Sequence, residues 1–241
     1  MSQVVVMRAN QRQQEKVKTG ISGLDELIEG GLIPNSSILL RGEAGSGKTI
    51  FCLHFLKYGA MNGEPGVLLS LEEEREDILN EGARFGWDLE ALEKQDKLAI
   101  INQQAQYSLT ISLLHATIER LGAKRVVIDS VPALFTSFPN ELRSSVWRSS
   151  FRLLCQPLMG AYNCTSILIS EIEWSRNHGF EEYVTKGVVE LESKVMDGVI
   201  RKFLLIKKMR EVRHSRRLHL YEITNNGFTI FTPTVERTEE K

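Results

Sequence analysis

The chain of 241 residues is long enough for one large α/β domain or two small ones, and its 42% hydrophobic content can fill a sizeable core. Thirty basic and 31 acidic residues leave a net charge of −1, which excludes a global field that would draw the chain to nucleic acid or a membrane. No run approaches the roughly 18 apolar residues of a membrane span, and the N-terminus has no signal-peptide pattern. Three cysteines in apolar segments lack metal-ligand spacing, which favours packing as reduced thiols in a cytoplasmic protein: Cys52, Cys155 and Cys164.

The two ends of the chain differ in pattern from the rest. Residues 1–18 start with a short Val-rich patch and then become polar, which indicates an arm that is ordered only by a neighbour. We expect one domain over residues 19–233, followed by a polar tail over residues 234–241. No break in composition and no internal repeat divides the middle of the chain.

Strands and helices are predicted to alternate over the first two thirds of the chain, as in a doubly wound sheet. The predicted strands are 37–41, 66–71, 97–102, 125–129 and 165–170, and the predicted helices are 48–61, 74–85, 109–121 and about 141–162. Pro157 is expected to bend or interrupt the last of these helices. The fold class is therefore α/β, with a mostly parallel twisted sheet flanked by helices.

The last third of the chain predicts strands without long helices between them. These strands are 188–192, 201–208, 218–223 and 228–231. Asn225-Asn226-Gly227 is a strong hairpin signal between the last two. We expect antiparallel strands to complete the sheet.

One octapeptide matches the Gly-x-x-x-x-Gly-Lys-[Ser/Thr] pattern of the phosphate-binding loop, between a predicted strand and a predicted helix. Its glycines allow successive backbone N–H groups to converge on phosphate oxygens, so it indicates that the chain binds a nucleoside triphosphate. An accidental Gly-rich turn is the alternative, and the flanking strand and helix argue against it. The residues are Gly42, Glu43, Ala44, Gly45, Ser46, Gly47, Lys48 and Thr49.

The residues that end this motif have distinct expected roles. Lys48 would reach the β and γ phosphates, and the Thr49 hydroxyl would hold Mg²⁺ at a helix N-terminus that adds partial positive charge. Ile50, the next residue of the helix, is expected to border the nucleotide. ATP and Mg²⁺ are therefore the expected ligands, the choice of ATP depending on the resemblance described below.

Carboxylates follow two other predicted strands. Asp129 ends the apolar strand 125–129, which is the usual pattern of a second magnesium anchor, although a strand-end Asp is often only a turn or a cap. Glu72 and Glu73 end the second strand at the same expected edge, where one of them could polarise water. Position alone leaves open that they merely favour the start of the following helix.

Several motifs together resemble a single-domain member of the KaiC-like branch of the RecA superfamily of ATPases, from about Thr19 to Phe231. The motifs are Thr19-Gly20-Ile21-Ser22-Gly23-Leu24-Asp25, Gly30-Gly31-Leu32, Leu71-Glu72-Glu73, Phe85-Gly86-Trp87-Asp88-Leu89 and Val127-Ile128-Asp129-Ser130. The resemblance implies a RecA-like core, ATP hydrolysis and catalytic roles for Glu72 and Glu73, without saying which of the two orients the water. It does not imply circadian function or autophosphorylation, because those belong to a second ATPase domain.

The resemblance also implies a homo-oligomeric ring, with a hexamer expected and nucleotide bound between subunits. In such rings a lysine and an arginine two residues apart contact the neighbour's γ-phosphate, and Lys208-Met209-Arg210 fits that spacing. Alternation would put Lys208 and Arg210 on one face of a strand. His214 is a further candidate nucleotide contact, and Glu171, at the end of a strand, is a candidate γ-phosphate sensor. A solvated basic strand end and a surface acid are the alternatives.

Three functions stay open at this level. The first is a ring ATPase that uses hydrolysis to change conformation for an unidentified protein partner. The second is a recombinase-like ATPase that binds single-stranded DNA through the polar segment Trp174-Ser175-Arg176-Asn177-His178-Gly179, which has only two basic residues and one aromatic residue. The third is a nucleotide-gated signalling or scaffold module with little turnover. Intact carboxylates favour the first.

Overall fold

The computed structural model describes residues 15–102, 106–135, 140–172 and 180–231, and within 140–146 it describes the backbone alone. The strands are β1 Ser37–Gly42, β2 Gly66–Ser70, β3 Leu98–Asn102, β4 Arg125–Asp129, β5 Thr165–Ser170, β6 Gly187–Met196, β7 Val199–Met209, β8 Leu218–Thr224 and β9 Gly227–Ile230. The helices are α1 Leu24–Leu27, α2 Lys48–Met61, α3 Arg75–Arg84, α4 Leu89–Lys94, α5 Tyr107–Leu121, α6 Val131–Leu134, α7 Asn140–Met159 and α8 Glu181–Val184.

All of these strands belong to one sheet in the order β3-β2-β4-β5-β1-β6-β7-β8-β9. The strands from β3 to β6 in this order pair in parallel. From β6 onward, β7, β8 and β9 pair antiparallel. The predicted α/β class with antiparallel C-terminal strands is therefore confirmed, with the refinement that β6 still runs parallel to β1.

Helices cover both faces of the sheet, and each face has its own apolar core. The core on one side includes Phe51 and Phe55 of α2 together with Phe228 of β9. The core on the other side includes Leu114 of α5 and Trp147 of α7. Because the central strands are buried on both faces, their sequences are continuous apolar runs, as expected for a parallel sheet.

The structure differs from the predicted helices at two places. Helix α7 is not interrupted at Pro157: it continues past that residue and ends at Met159, three residues before the predicted end. Pro157 lies in the last turn, and the helix continues for only two residues beyond it. Helix α4 was not predicted, because it has only six residues, and it begins where the Asp88 side chain accepts a hydrogen bond from Ala91 N at 2.9 Å.

The β6–β7 hairpin is longer than the sequence predicted. Its strands continue to a turn at Asp197 and Gly198, whose φ angles of 53° and 77° are those of a tight hairpin turn. Val195 and Ile200 near this turn are 74% and 67% exposed, so no core contact marks these strand ends in the sequence. The predicted Asn225–Gly227 hairpin joins β8 to β9 as expected.

The chain ends and the thiols complete this description. Val17 pairs with Leu32 through backbone hydrogen bonds in both directions, so the described end of the expected arm contacts the domain. The expected tail lies outside the described residues. All three cysteines are free and buried. In the described ranges, no helix has both the length and the apolar character needed to cross a bilayer.

His54 of α2 ties that helix to β9 and gives the fold a pH dependence. Its Nε2 accepts a hydrogen bond from Phe228 N at 2.9 Å, so the ring must be neutral there. The pKa of His54 is lowered from 6.5 to about 4, first by burial and second by the positive charge of Lys57. The unfolded chain therefore binds a proton at a higher pH than the folded protein does. This difference removes stability as the pH falls from 6.5 to about 4.

We expect this group to remove up to about 3 kcal/mol of unfolding free energy over that interval, because one pKa unit corresponds to about 1.4 kcal/mol. Urea denaturation at several pH values would measure the slope of the unfolding free energy against pH. In His54→Gln the amide oxygen can still accept from Phe228 N but does not titrate, so the slope should be smaller. An equal slope in the two proteins would contradict the assignment.

Candidate nucleotide-binding site

The phosphate-binding motif forms the turn from β1 into α2, as predicted. β1 ends at Gly42 and α2 begins at Lys48, so the loop lies at the carboxyl edge of the sheet, where α/β folds bind ligands. Gly47 has a φ of 92°, and a Cβ there would lie 2.5 Å from Ile223 Cδ1. Only glycine fits that position without strain, which accounts for its place in the motif.

A cavity of about 610 Å³ opens beside the loop. Several predicted site residues line it: Ala44, Gly45, Gly47, Lys48, Thr49, Ile50, Glu72, Glu73, Asp129 and Glu171. The Lys48 ammonium donates to the carbonyl oxygens of Gly42 and Glu43 at 3.0 and 2.9 Å. It therefore lies over the loop with its charge at the cavity wall, where phosphates would meet it.

Asp129 lines the same cavity and accepts a hydrogen bond from Thr49, the last residue of the motif. It ends β4, is 5% exposed, and its Oδ2 accepts from Thr49 Oγ1 at 3.0 Å. The pKa of Asp129 is raised to about 7, chiefly by burial; the hydrogen bond from Thr49 opposes this rise, and the negative charges of Glu72 and Glu73 add to it. A buried carboxyl of this kind favours a nearby cation that would offset the cost of its charge.

The side-chain oxygens of Thr49, Asp129 and Glu73 are of the kind that Mg²⁺ binds. Mg²⁺ takes oxygen ligands and usually binds to proteins through one or two carboxylates or hydroxyls plus substrate phosphates and water. Thr49 Oγ1, Asp129 Oδ2 and Glu73 Oε1 are such donors, with Thr49 Oγ1 3.4 Å from Glu73 Oε1. Within the described residues, no cluster of three or more His, Cys, Asp or Glu forms a metal cage. A site completed by the nucleotide is therefore the kind that these residues fit.

Glu72 and Glu73 lie just beyond β2, after Leu71, and neighbouring polar groups fix the backbone there. The carbonyl oxygen of Glu73 accepts from Ser70 Oγ at 2.7 Å and from Asn102 Nδ2 at 2.5 Å. Burial raises the pKa of Glu73, and negative charges around it, of which Glu81 is the strongest, raise it further. The Glu72 carboxylate accepts from Ser130 Oγ, the residue after Asp129. The two carboxylates thus contact different parts of the site.

Glu171 lies just beyond β5 and is exposed. It lines both the nucleotide cavity and a second depression that includes Gly42, Glu43 and Glu190. The structure thus brings it to the loop, as the sensor hypothesis requires. The segment 174–179, proposed as a DNA-binding loop, lies outside the described residues.

The basic pair Lys208 and Arg210 lies far from this cavity. Met209, the last residue of β7, pairs with Gly187, which in turn pairs with Ile38 near the start of β1. The pair therefore occupies the sheet edge opposite the phosphate loop. In the described part of the chain, neither residue, nor Met209 or His214, lines the nucleotide cavity.

The short helix α8 holds both cations. Lys208 Nζ donates to the carbonyl oxygens of Glu182 and Thr185, the latter at 2.7 Å, and Arg210 Nη2 donates to Tyr183 O at 3.2 Å. Burial lowers the pKa of Lys208, and the charge of Arg210 lowers it further. Arg210 follows the last residue of β7 rather than lying within the strand, yet both side chains reach the same helix.

The remaining candidates lie beside this pair. Met209 is buried against the core, and His214 is partly buried with its Nδ1 3.0 Å from Ser215 O. Their nucleotide roles stay predictions that require a second subunit.

Sequence reasoning missed the C-terminal strands that pack on the loop. Lys202 Nζ donates to Gly45 O at 2.7 Å, and Tyr221 Oη donates to Ser46 O at 2.6 Å. Ile223 lines the cavity. No sequence signal shows that β7 and β8 return to the loop, because their place depends on the pairing of β6 with β1.

A parallel sheet with a phosphate loop after β1, an Asp at the end of β4 and carboxylates beyond β2 defines a RecA-like P-loop core. The family model described as "ATPase: KaiC" matches residues 17–235. The chain belongs to this KaiC family, and it is an ATP-binding protein of the RecA-like class.

Individual relatives agree with this assignment. UPF0273 proteins of Aeropyrum pernix and Methanocaldococcus jannaschii are each 33% identical to this chain, over 92% of it and over 96% and 98% of their own lengths. The circadian clock oscillator protein KaiC of Prochlorococcus marinus is 32% identical, over 91% of this chain but 46% of its own length. A crystal structure of a KaiC-like protein from Pyrococcus horikoshii superimposes with a TM-score of 0.83 at 35% identity, covering 90% of this chain and 99% of the other.

Proposed function

We propose that this protein is a magnesium-dependent ATPase that assembles head to tail into a ring, expected to be a hexamer, with each nucleotide bound between two subunits. The observation that carries the proposal is that the expected site is divided between opposite edges of one sheet. Thr49, Asp129 and the two glutamates lie beside the loop, whereas Lys208 and Arg210 lie at the other edge. A head-to-tail contact would bring one edge to the other.

Each residue on the loop side has a defined task in this proposal. Lys48 releases the two loop carbonyls and neutralises the β and γ phosphates. Thr49 and Asp129 would hold Mg²⁺, which when bound neutralises charge on the phosphate oxygens. Glu171 would hydrogen-bond through water near the γ-phosphate. The contribution of these residues is mainly placement and charge stabilisation.

The contacts divide the two glutamates by role. Glu73 lies beside the Thr49 hydroxyl and so belongs to the magnesium end of the cavity. Glu72 is exposed to the cavity and is held by Ser130. We therefore assign the orientation of the attacking water to Glu72, and a supporting role at the metal to Glu73.

Lys208 and Arg210 complete the neighbour's site. In the described part of the chain, both cations donate to neutral carbonyl oxygens, those of Glu182, Tyr183 and Thr185. A γ-phosphate is a stronger partner for two cations than backbone carbonyls are, so both side chains would exchange these contacts for the phosphate. Hydrolysis would then change what α8 contacts, which provides a route from chemistry to a conformational change that a protein partner could sense.

The test measures ATP turnover and the mass of the assembled protein. We expect ATP hydrolysis that EDTA abolishes, together with a hexamer mass by light scattering in the presence of MgATP. Binding without hydrolysis would overturn the ATPase proposal and favour a nucleotide-gated scaffold. A monomer in MgATP would overturn the ring. Turnover that requires single-stranded DNA would favour the recombinase-like alternative.

A further inference from the structure

The outer side of the phosphate loop is in contact with the β7–β8 ribbon at two successive carbonyl groups. Lys202 of β7 donates to Gly45 O at 2.7 Å, and Tyr221 of β8 donates to Ser46 O at 2.6 Å. The two donors are themselves neighbours, since Lys202 pairs with Tyr221 in the sheet. The loop apex is therefore bonded to a rigid element that is distant in sequence.

Tyr221 is held firmly in this position. It is 1% exposed, and its ring stacks on Phe228 at 4.3 Å, which packs edge-on against Phe51 of α2 at 5.3 Å. The hydroxyl is thus fixed by packing between the sheet and α2, the helix that follows the loop. A fixed donor sets the direction of the carbonyl that it contacts.

The direction of a loop carbonyl decides the direction of a loop N–H. In a trans peptide the C=O of one residue and the N–H of the next point to opposite sides of one plane. Holding Ser46 O toward Tyr221 therefore directs the Gly47 N–H away from it, and Gly47 lines the nucleotide cavity. Backbone N–H groups are the donors that a phosphate loop offers to its ligand.

We propose that Tyr221 and Lys202 are positioning residues that hold the phosphate loop in its binding conformation before nucleotide arrives. The inference rests on the proposed function only in taking a nucleotide as the ligand. Because the loop is held in advance, binding does not have to order it, and preorganisation of this kind increases affinity.

Tyr221→Phe tests the hydroxyl without removing the ring. The dissociation constant of MgADP should rise about five- to tenfold, the effect of one neutral hydrogen bond. In turnover, KM for ATP should rise more than kcat falls, since ground state and transition state both lose the same contact. Lys202→Met should weaken MgADP binding in the same direction, and Lys202→Arg, which keeps a donor, should restore part of it.

Matched controls separate positioning from general stability. Tyr107 also donates to a backbone carbonyl, Ser150 O at 3.1 Å, where it is partly buried against the core that contains α5 and α7. Without nucleotide, Tyr107→Phe should lower the unfolding free energy by about as much as Tyr221→Phe does. It should leave the MgADP dissociation constant unchanged. Lys194→Met is the control for Lys202→Met, because Lys194 lies on the same hairpin but pairs with Glu192 at 3.0 Å. It should leave the MgADP dissociation constant unchanged.

The readout is binding rather than hydrolysis, so a protein that binds MgADP but neither hydrolyses ATP nor assembles still tests the proposal. A dissociation constant in Tyr221→Phe equal to that of the parent protein would overturn it. So would an equal rise in Tyr107→Phe, which would show that lost stability alone weakens binding.

Discussion

Replacing Glu72 by glutamine is expected to lower ATP turnover by about 10²- to 10³-fold, because the amide cannot accept a proton from water as a carboxylate does. Binding of MgATP should be nearly unchanged, since Glu72 contacts Ser130 rather than the loop. The effect therefore falls on kcat. Steady-state hydrolysis, with MgATP binding measured by calorimetry, would separate the two quantities.

Two neighbouring glutamates provide the comparison. Glu73→Gln should increase the Mg²⁺ concentration needed for half-maximal turnover, because Glu73 lies 3.4 Å from the Thr49 hydroxyl. Glu74→Gln should have no effect on either quantity, since Glu74 is exposed at the start of α3 and does not line the described cavity. Full activity in Glu72→Gln together with a large loss of kcat in Glu73→Gln would reverse the assignment.

The loop half of the site was predictable because each of its residues follows a buried strand. The apolar runs before Gly42, Glu72 and Asp129 mark parallel strands, and the carboxyl ends of parallel strands meet at one edge. The structure brings the carboxylates of Glu73 and Asp129 within hydrogen-bonding distance of Thr49. It brings the Glu72 carboxylate to Ser130. Their chemical roles remain predictions, but their proximity follows from local patterns alone.

The contacts of Lys202 and Tyr221 with the loop were not predictable in this way. They lie more than 150 residues after Gly45 and Ser46, and their position depends on the strand order β1-β6-β7-β8. Nothing local in a strand sequence specifies its neighbours. The tip of the β6–β7 hairpin was missed for a related reason: its residues are exposed on both strands, so they show no alternation of buried and exposed positions.

A mixture of two inactive variants is expected to recover activity if the site is divided between subunits. Glu72→Gln removes the water-orienting group from the loop side of an interface, and Arg210→Ala removes a cation from the opposite side. In a head-to-tail ring formed from equal amounts of both, random assembly gives about one quarter of interfaces an intact Glu72 and an intact Arg210. Turnover should rise to about one quarter of the parent value.

The matched control places both defects on the same side of the interface. A mixture of Glu72→Gln and Lys48→Ala cannot form a complete site, because Glu72 and Lys48 line one cavity of one chain. It should therefore stay inactive at every ratio. Recovery in the first mixture alone would show that Arg210 acts on a neighbour's nucleotide, since α8 holds it at the sheet edge opposite its own loop. If neither mixture recovers while both variants assemble, the division of the site between subunits is wrong.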